Sequence, residues 1–212
     1  WLKRIPARPR SNPASTPPLA AAPTPMRALA TLFLVGLAAA TADDFICPGS
    51  NSFVHAQCKV AATMSATCAD VKAEMLARVN GQFQRWHDPH NNGTYMCEQI
   101  GSGDLLFRRL SGSASFGGKT YTDKVLFHFA SEGASCAVTA CSQSQGFSVK
   151  DFSTNYCNIR NLYCSSDEGC DPVLHDFASK ETQVKSSLGA GEDASVCVVK
   201  ATGSAVRRML RG

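Results

Sequence analysis

Cysteine spacing constrains this chain more than any other feature. From Cys136 to Cys170 the sequence runs C-x4-C-x15-C-x6-C-x5-C, so half of the ten cysteines fall within 35 residues. The residues between them are rich in Ser, Asn, Gln, Tyr and Phe and poor in aliphatic side chains. Such a segment buries too little apolar surface to hold itself, and covalent cross-links are the expected remedy. Cys47, Cys58, Cys68, Cys97, Cys136, Cys141, Cys157, Cys164, Cys170 and Cys197 all lie beyond residue 42. An even number of this kind predicts five disulfides, an oxidising compartment and no free thiol. No C-x2-C pair occurs and no histidine stands at finger spacing from one, so no metal site is expected.

The compartment is also written ahead of the cysteines. Met26-Arg27 precedes the apolar run ALATLFLVGLAAA, and Ala40-Thr41-Ala42 has the small residues of a signal-peptidase site, followed by Asp43-Asp44. Residues 26–42 therefore read as a secretory signal, too short for a membrane span. Residues 1–25 hold four Lys/Arg, no acid and many Pro, Ala and Ser. They fit an extension ahead of the true start, or a transit peptide leading to an organelle lumen such as the thylakoid lumen. Five of the 21 basic residues and none of the 17 acidic ones lie in 1–42, which leaves 16 against 17 and a net charge of −1. A nucleic-acid partner is not supported by that balance, and no stable membrane insertion is expected after cleavage. Arg207, Arg208 and Arg211 make 201–212 a basic, solvated tail.

The remaining region, 43–200, reads as a single disulfide-rich α+β domain. Residues 43–66 suggest an irregular or partly helical arm. Residues 68–86 predict a helix, with Thr67 as N-cap, Asp70 as its capping-box partner, and Cys68, Val71, Met75, Val79, Phe83 and Trp86 on one face. Glu74 and Arg78 form a favourable i,i+4 pair. Asp88-Pro89 stops the helix. Strands follow at 93–100, 105–110 and 119–130, where Asp123, Val125, Phe127 and Phe129 alternate with Thr122, Lys124, Leu126 and His128. Cys136 to Cys141 is a further strand, and five positions place its two cysteines on opposite faces. Residues 180–186 and 196–200 complete the candidates. One amphipathic helix packed on a curved antiparallel sheet, stapled by disulfides, is the expected architecture.

That order of elements over roughly 66–165 resembles the cystatin and NTF2-like folds in outline. The cystatin Q-x-V-x-G motif is absent, since Gln183-Val184-Lys185 has Val next to Gln. Cys141-Ser142-Gln143-Ser144-Gln145 together with DFSTNYCNIRNLYC at 151–164 resembles a motif of small secreted cysteine-rich proteins of microalgae. That resemblance implies export and transfers no catalytic residue.

No G-x-S-x-G, H-E-x-x-H or phosphate-binding glycine loop occurs, so no catalytic residue and no cofactor is assigned. Trp86, His87, Tyr95, Tyr121 and His128 are the candidates to line a pocket between helix and sheet. Asn155, Tyr156, Asn158 and Arg160 are the candidates for an exposed recognition loop on the disulfide scaffold. Asn92-Gly93-Thr94 is a glycosylation sequon, which places Asn92 at the surface. The reading is a secreted or luminal binding domain for an unidentified protein or small ligand. The alternatives are a small pocket enzyme using His87 or His128 as base, and a secreted protease inhibitor.

Overall fold

The structure is a computed structural model that describes residues 41–82, 84–101, 103–112 and 120–198. The targeting region up to residue 40 and the basic tail lie outside the described residues. The elements run β1 (Gln57–Met64), α1 (Cys68–Asn80), β2 (Thr94–Ile100), β3 (Asp104–Leu110), β4 (Thr122–Glu132), β5 (Ser135–Ser144), α2 (Thr154–Arg160) and β6 (Ser179–Ser186). Two 3-10 turns, Ser166–Glu168 and Ala194–Val196, complete them. The class is α+β, with two helices among the described residues where one was expected. Among the described residues no helix is long and apolar enough to cross a membrane.

The six strands form an open antiparallel sheet in the order β2-β3-β4-β5-β1-β6. The main departure from the sequence reading is β1, which was expected as an irregular arm. It is an interior strand, pairing with β5 on one side and β6 on the other. Its small side chains at Ala61 and Ala62 are buried along with Val60. A strand covered on both faces does not alternate apolar with polar, which removes its periodic signal. The expected strand at 196–200 is instead a 3-10 turn running into Cys197, and its last two residues lie outside the described residues.

Helix α1 begins as its sequence dictates. The Thr67 hydroxyl accepts from the Asp70 amide at 3.2 Å and donates to the Asp70 carboxylate at 2.7 Å. The helix ends at Asn80 with Gly81 as its C-cap, six residues short of the expected end at Trp86. Both helices cover one face of the sheet. Met64, Val71, Met75, Leu105, Phe107, Val125 and Phe127 are fully buried there, and burying each such side chain stabilises by about 1.5–3 kcal/mol. The segment 41–56 crosses the other face. Gln183 accepts from the Ala42 amide at 2.9 Å, the Phe45 ring lies 6.5 Å from His128, and Gln145 donates to the Gly49 carbonyl at 2.8 Å.

The disulfides tie these layers together. Cys68–Cys136 joins α1 to one face of β5, and Cys47–Cys141 joins the N-terminal segment to the other, as the five-residue spacing predicts. Cys157–Cys197 and Cys164–Cys170 hold α2 and the chain after it. The loops closed by the first two bonds span 94 and 68 residues, and each stabilises by roughly 4–5 kcal/mol in the chain-entropy picture. Cys58 and Cys97 are free, which corrects the expectation of five bonds. They lie on β1 and β2, four ladder steps of about 4.8 Å apart, far beyond the ~7 Å Cα separation a disulfide tolerates.

Burial pushes the Cys58 thiol up to about 12 and raises that of Cys97 as well. Thiol titration of the folded, unreduced protein is expected to find Cys97, which is partly exposed, and to miss buried Cys58. Denaturant is expected to bring the count to two. A count of zero in denaturant would show a fifth bond.

Candidate ligand-binding site

The core beneath α2 is polar. Asn155, Asn158 and Asn161 stand three residues apart, so they share one helix face, and all three are buried against the sheet. Asn161 Nδ2 donates to Asp88 Oδ1 at 3.0 Å, and Asn158 Nδ2 to Asp123 Oδ2 at 2.9 Å. Asn155 Nδ2 donates to Asp151 Oδ2 at 2.6 Å and to Ser144 Oγ at 3.1 Å. Ser144 Oγ in turn donates to Asp123 Oδ1 at 2.8 Å, and Ser142 Oγ to Asn155 Oδ1 at 2.7 Å.

Arg109 supplies the cation of this layer. Its guanidinium is fully buried, donates to Asp88 and Asn91, and lies 3.6 Å from Asp123. Burial alone would favour the neutral form, but Asp88, Tyr95 and Asp123 outweigh it and raise the Arg109 pKa. Burial likewise works against the Asp88 carboxylate. The Arg109 charge and the hydrogen bonds to Asp88 nevertheless hold its pKa below the usual range. Asp88 also accepts from the His90 and Gly93 amides at 3.1 and 2.9 Å. Gly93 packs directly against the guanidinium, where a Cβ would collide with Nη2, Cζ and Nε.

One end of this layer opens into a cavity of about 510 Å³. Asp123, Asp151, Ser144 and Thr154 line it together with the lip residues Tyr121, Ser148, Lys150 and Phe152, and with Asn91, Ser111 and Gly112. The backbone is strained around it. Asn92, Phe152 and Ser153, at φ of 56°, 50° and 67°, are the non-glycine residues with positive φ among the described residues. Each such residue costs on the order of 1–3 kcal/mol, and strain of this kind gathers at functional sites.

Asp151 lines the floor, with 8% of it accessible to solvent. Its Oδ2 accepts from the Asn155 amide and side chain, while Oδ1 is buried without a hydrogen-bond partner. Burial raises its pKa, Asn155 and the Gly191 amide pull against that, and the nearby Asp123 charge adds to it.

The structure redistributes the residues singled out from the sequence. Of the pocket candidates, only Tyr121 lines the cavity, and it is exposed at the lip. Trp86 and Tyr95 are core residues packed edge to face at 5.9 Å, and the Tyr95 hydroxyl donates to the Asn158 carbonyl at 3.2 Å. His87 is exposed to solvent next to buried Asp88. His128 lies on the other face of the sheet, half-exposed, 2.7 Å from Asp104. Neither histidine lines the cavity.

The expected recognition loop is not a loop. Asn155, Tyr156 and Asn158 are buried in α2, because the Asn side chains complete the polar layer and Tyr156 donates to Glu181 at 2.6 Å. Arg160 is held in ion pairs with Glu168 and Glu181, so it is a structural residue rather than a free surface cation. Asn92 is exposed, as the sequon requires. Arg109 and Asp151 were missed, and Asp88 was read only as part of the helix stop with Pro89. The available signal for Asp123 was its place among Val125, Phe127 and Phe129 on one strand face. Among the described residues no three His, Cys, Asp or Glu side chains are grouped to hold a metal ion.

No known protein family, no curated protein and no solved structure matches this chain.

Two outcomes are expected from substitutions here. Asp88→Ala should destabilise the protein by about 3–5 kcal/mol in urea unfolding, because it strands a buried guanidinium. Asp151→Asn should flatten the pH dependence of stability. With its folded-state pKa raised, Asp151 holds its proton in the folded protein after the unfolded chain, near pH 4, has released it. Stability therefore falls as pH rises through that window in the wild type, and melting temperatures from pH 4 to 8 should show this slope reduced in the variant.

Proposed function

We propose that this chain is an exported, disulfide-stabilised domain that binds a small ligand in the cavity at the end of β3, β4 and β5. The cavity carries the reading. Its volume of about 510 Å³ falls within the roughly 300–1,000 Å³ of small-molecule sites, and it combines aromatic lip residues with a few polar groups on a fixed scaffold. Four disulfides and the signal-like segment before Asp43 support a secreted or luminal setting. The resemblance to small secreted cysteine-rich proteins of microalgae points the same way. Register shifts at Ala61/Ala62 and between Cys97 and Gln99 favour the curved sheet that would shape such a cavity.

The lip residues provide the test. Protein isolated from its native source is expected to carry a small molecule that denaturation releases and mass spectrometry detects. Tyr121→Ala should lower its occupancy about tenfold while shifting stability by less than about 0.5 kcal/mol, since Tyr121 is exposed. Full occupancy in that variant would place the ligand elsewhere.

A further inference from the structure

One end of the sheet exposes more apolar surface than the cavity accounts for, and we propose that this end docks on a phospholipid surface. In the antiparallel register, the chain entering β1 and β4 and the chain leaving β5 and β6 all meet there. Backbone contacts tie these pieces together. The Ser148 amide donates to the Val54 carbonyl at 3.3 Å, and the Gln145 amide to the Thr122 carbonyl at 2.8 Å. Gly189 packs on Val149, whose carbonyl oxygen a Cβ would strike. Among the described residues eleven large apolar side chains are exposed, and seven of them stand at this end. Phe53 and Val54 precede β1, and Tyr121 precedes β4. Phe147, Val149 and Phe152 follow β5, and Leu188 follows β6. Exposed apolar residues scattered singly are ordinary, but such a concentration marks an interaction surface.

The charge of these loops selects the partner. Residues 49–56, 145–150 and 187–191 contain no acidic side chain and one basic one, Lys150, where the chain's 18% of charged residues would place about three. Asp151, next to Lys150, is buried, and Glu192 and Asp193 come after Gly191, which packs on Ser153. The rest of these loops is mostly Ser, Gly, Asn and Gln around protruding Phe, Val and Leu. Phe53 and Leu188 are almost wholly exposed on separate loops, so each can enter an acyl layer on its own. A bilayer interface accepts this arrangement: apolar tips reach the acyl boundary, uncharged polar residues lie among the headgroups, and exposed Lys150 meets lipid phosphate. A nucleic acid would need many cations rather than one. The cavity opens at the same end beside Tyr121 and Phe152, so docking turns its mouth to the lipid. The docking itself does not depend on the cavity being occupied.

Co-sedimentation of the folded protein with vesicles of phosphatidylcholine and phosphatidylglycerol tests this. The protein is expected in the lipid pellet. Replacing Phe53→Ser and Leu188→Ser together should weaken binding at least about tenfold, because both side chains lose water only on the lipid. Lys150→Gln should weaken it about fivefold, the usual effect of one cation near an anionic surface. Leu174→Ser removes an exposed apolar side chain ahead of β6, at the opposite end, and should bind as the wild type does. All four substitutions replace exposed side chains, so the fold is expected to tolerate them. Absence of the protein from the pellet overturns the docking, and so does an equal loss in the Leu174 variant. A dimer that forms without lipid and that the Phe53 and Leu188 substitutions dissolve also overturns it, since it assigns the surface to a second copy of the chain.

Discussion

The contact between Arg109 and Asp88 is the interaction on which the helical face of this protein depends. Moving a guanidinium and a carboxylate out of water costs several kcal/mol each, and their attraction repays it only when the remaining hydrogen-bonding positions are filled. On the carboxylate side they are filled, since Asp88 receives the His90 and Gly93 amides, the Asn161 side chain and Arg109 itself, whereas Arg109 Nε and Nη1 are buried without a hydrogen-bond partner. Those four donors come from the 90–93 turn, α2 and β3. The pair therefore fixes where three separate pieces of chain meet. Its effect lies less in net stability than in excluding other arrangements, because any displaced packing would leave a bare charge in the core.

The same logic recurs at the other end of the helical layer. Glu74 and Arg78 of α1 are both buried, where a solvent-facing i,i+4 pair was the simpler expectation. Burial opposes ionisation of Glu74, yet the amides of residues 173–175 and Arg78 lower its pKa. Arg78 donates onward to the carbonyls of Asn161 and Cys164, at 2.8 and 2.7 Å, and so satisfies acceptors at the end of α2. A seven-residue helix is too short to be stable in water by propensity alone. Helix α2 exists because Arg78 holds its exit, its asparagines bond the sheet, and Cys157–Cys197 closes over it.

These dependencies explain which parts were legible in the sequence. The cap at Thr67, the alternation along β4 and the opposed cysteines of β5 rest on local periodicity and capping chemistry, and they stand in the structure as read. Strand β1 was not legible, since its identity comes from neighbours on both sides rather than from its own pattern. Nor was the burial of Asn155, Asn158 and Asn161. Polar residues at a spacing of three ordinarily mark a solvated helix face, and only a facing layer of carboxylates and hydroxyls reverses that. Asp123 carried a usable hint, a charge on an apolar strand face. Its partner Arg109 did not, because Arg108 beside it looks identical in sequence and points to solvent.

The cavity takes its character from this polar layer. Hydrogen bonds run from Asn161 through Asp88 to Arg109, an ion pair at 3.6 Å joins Arg109 to Asp123, and hydrogen bonds continue through Ser144 and Asn155 to Asp151, which lines the opening. The cavity floor and the support of α2 are one network, so in the proposed binding role occupancy and folding would be linked. Any ligand that binds only the folded protein stabilises it by mass action. The three strained residues flanking the opening, Asn92, Phe152 and Ser153, raise the cost of keeping that geometry. Their position, where the polar layer reaches the surface, supports the proposed binding site, because a preorganised geometry lowers the cost of binding.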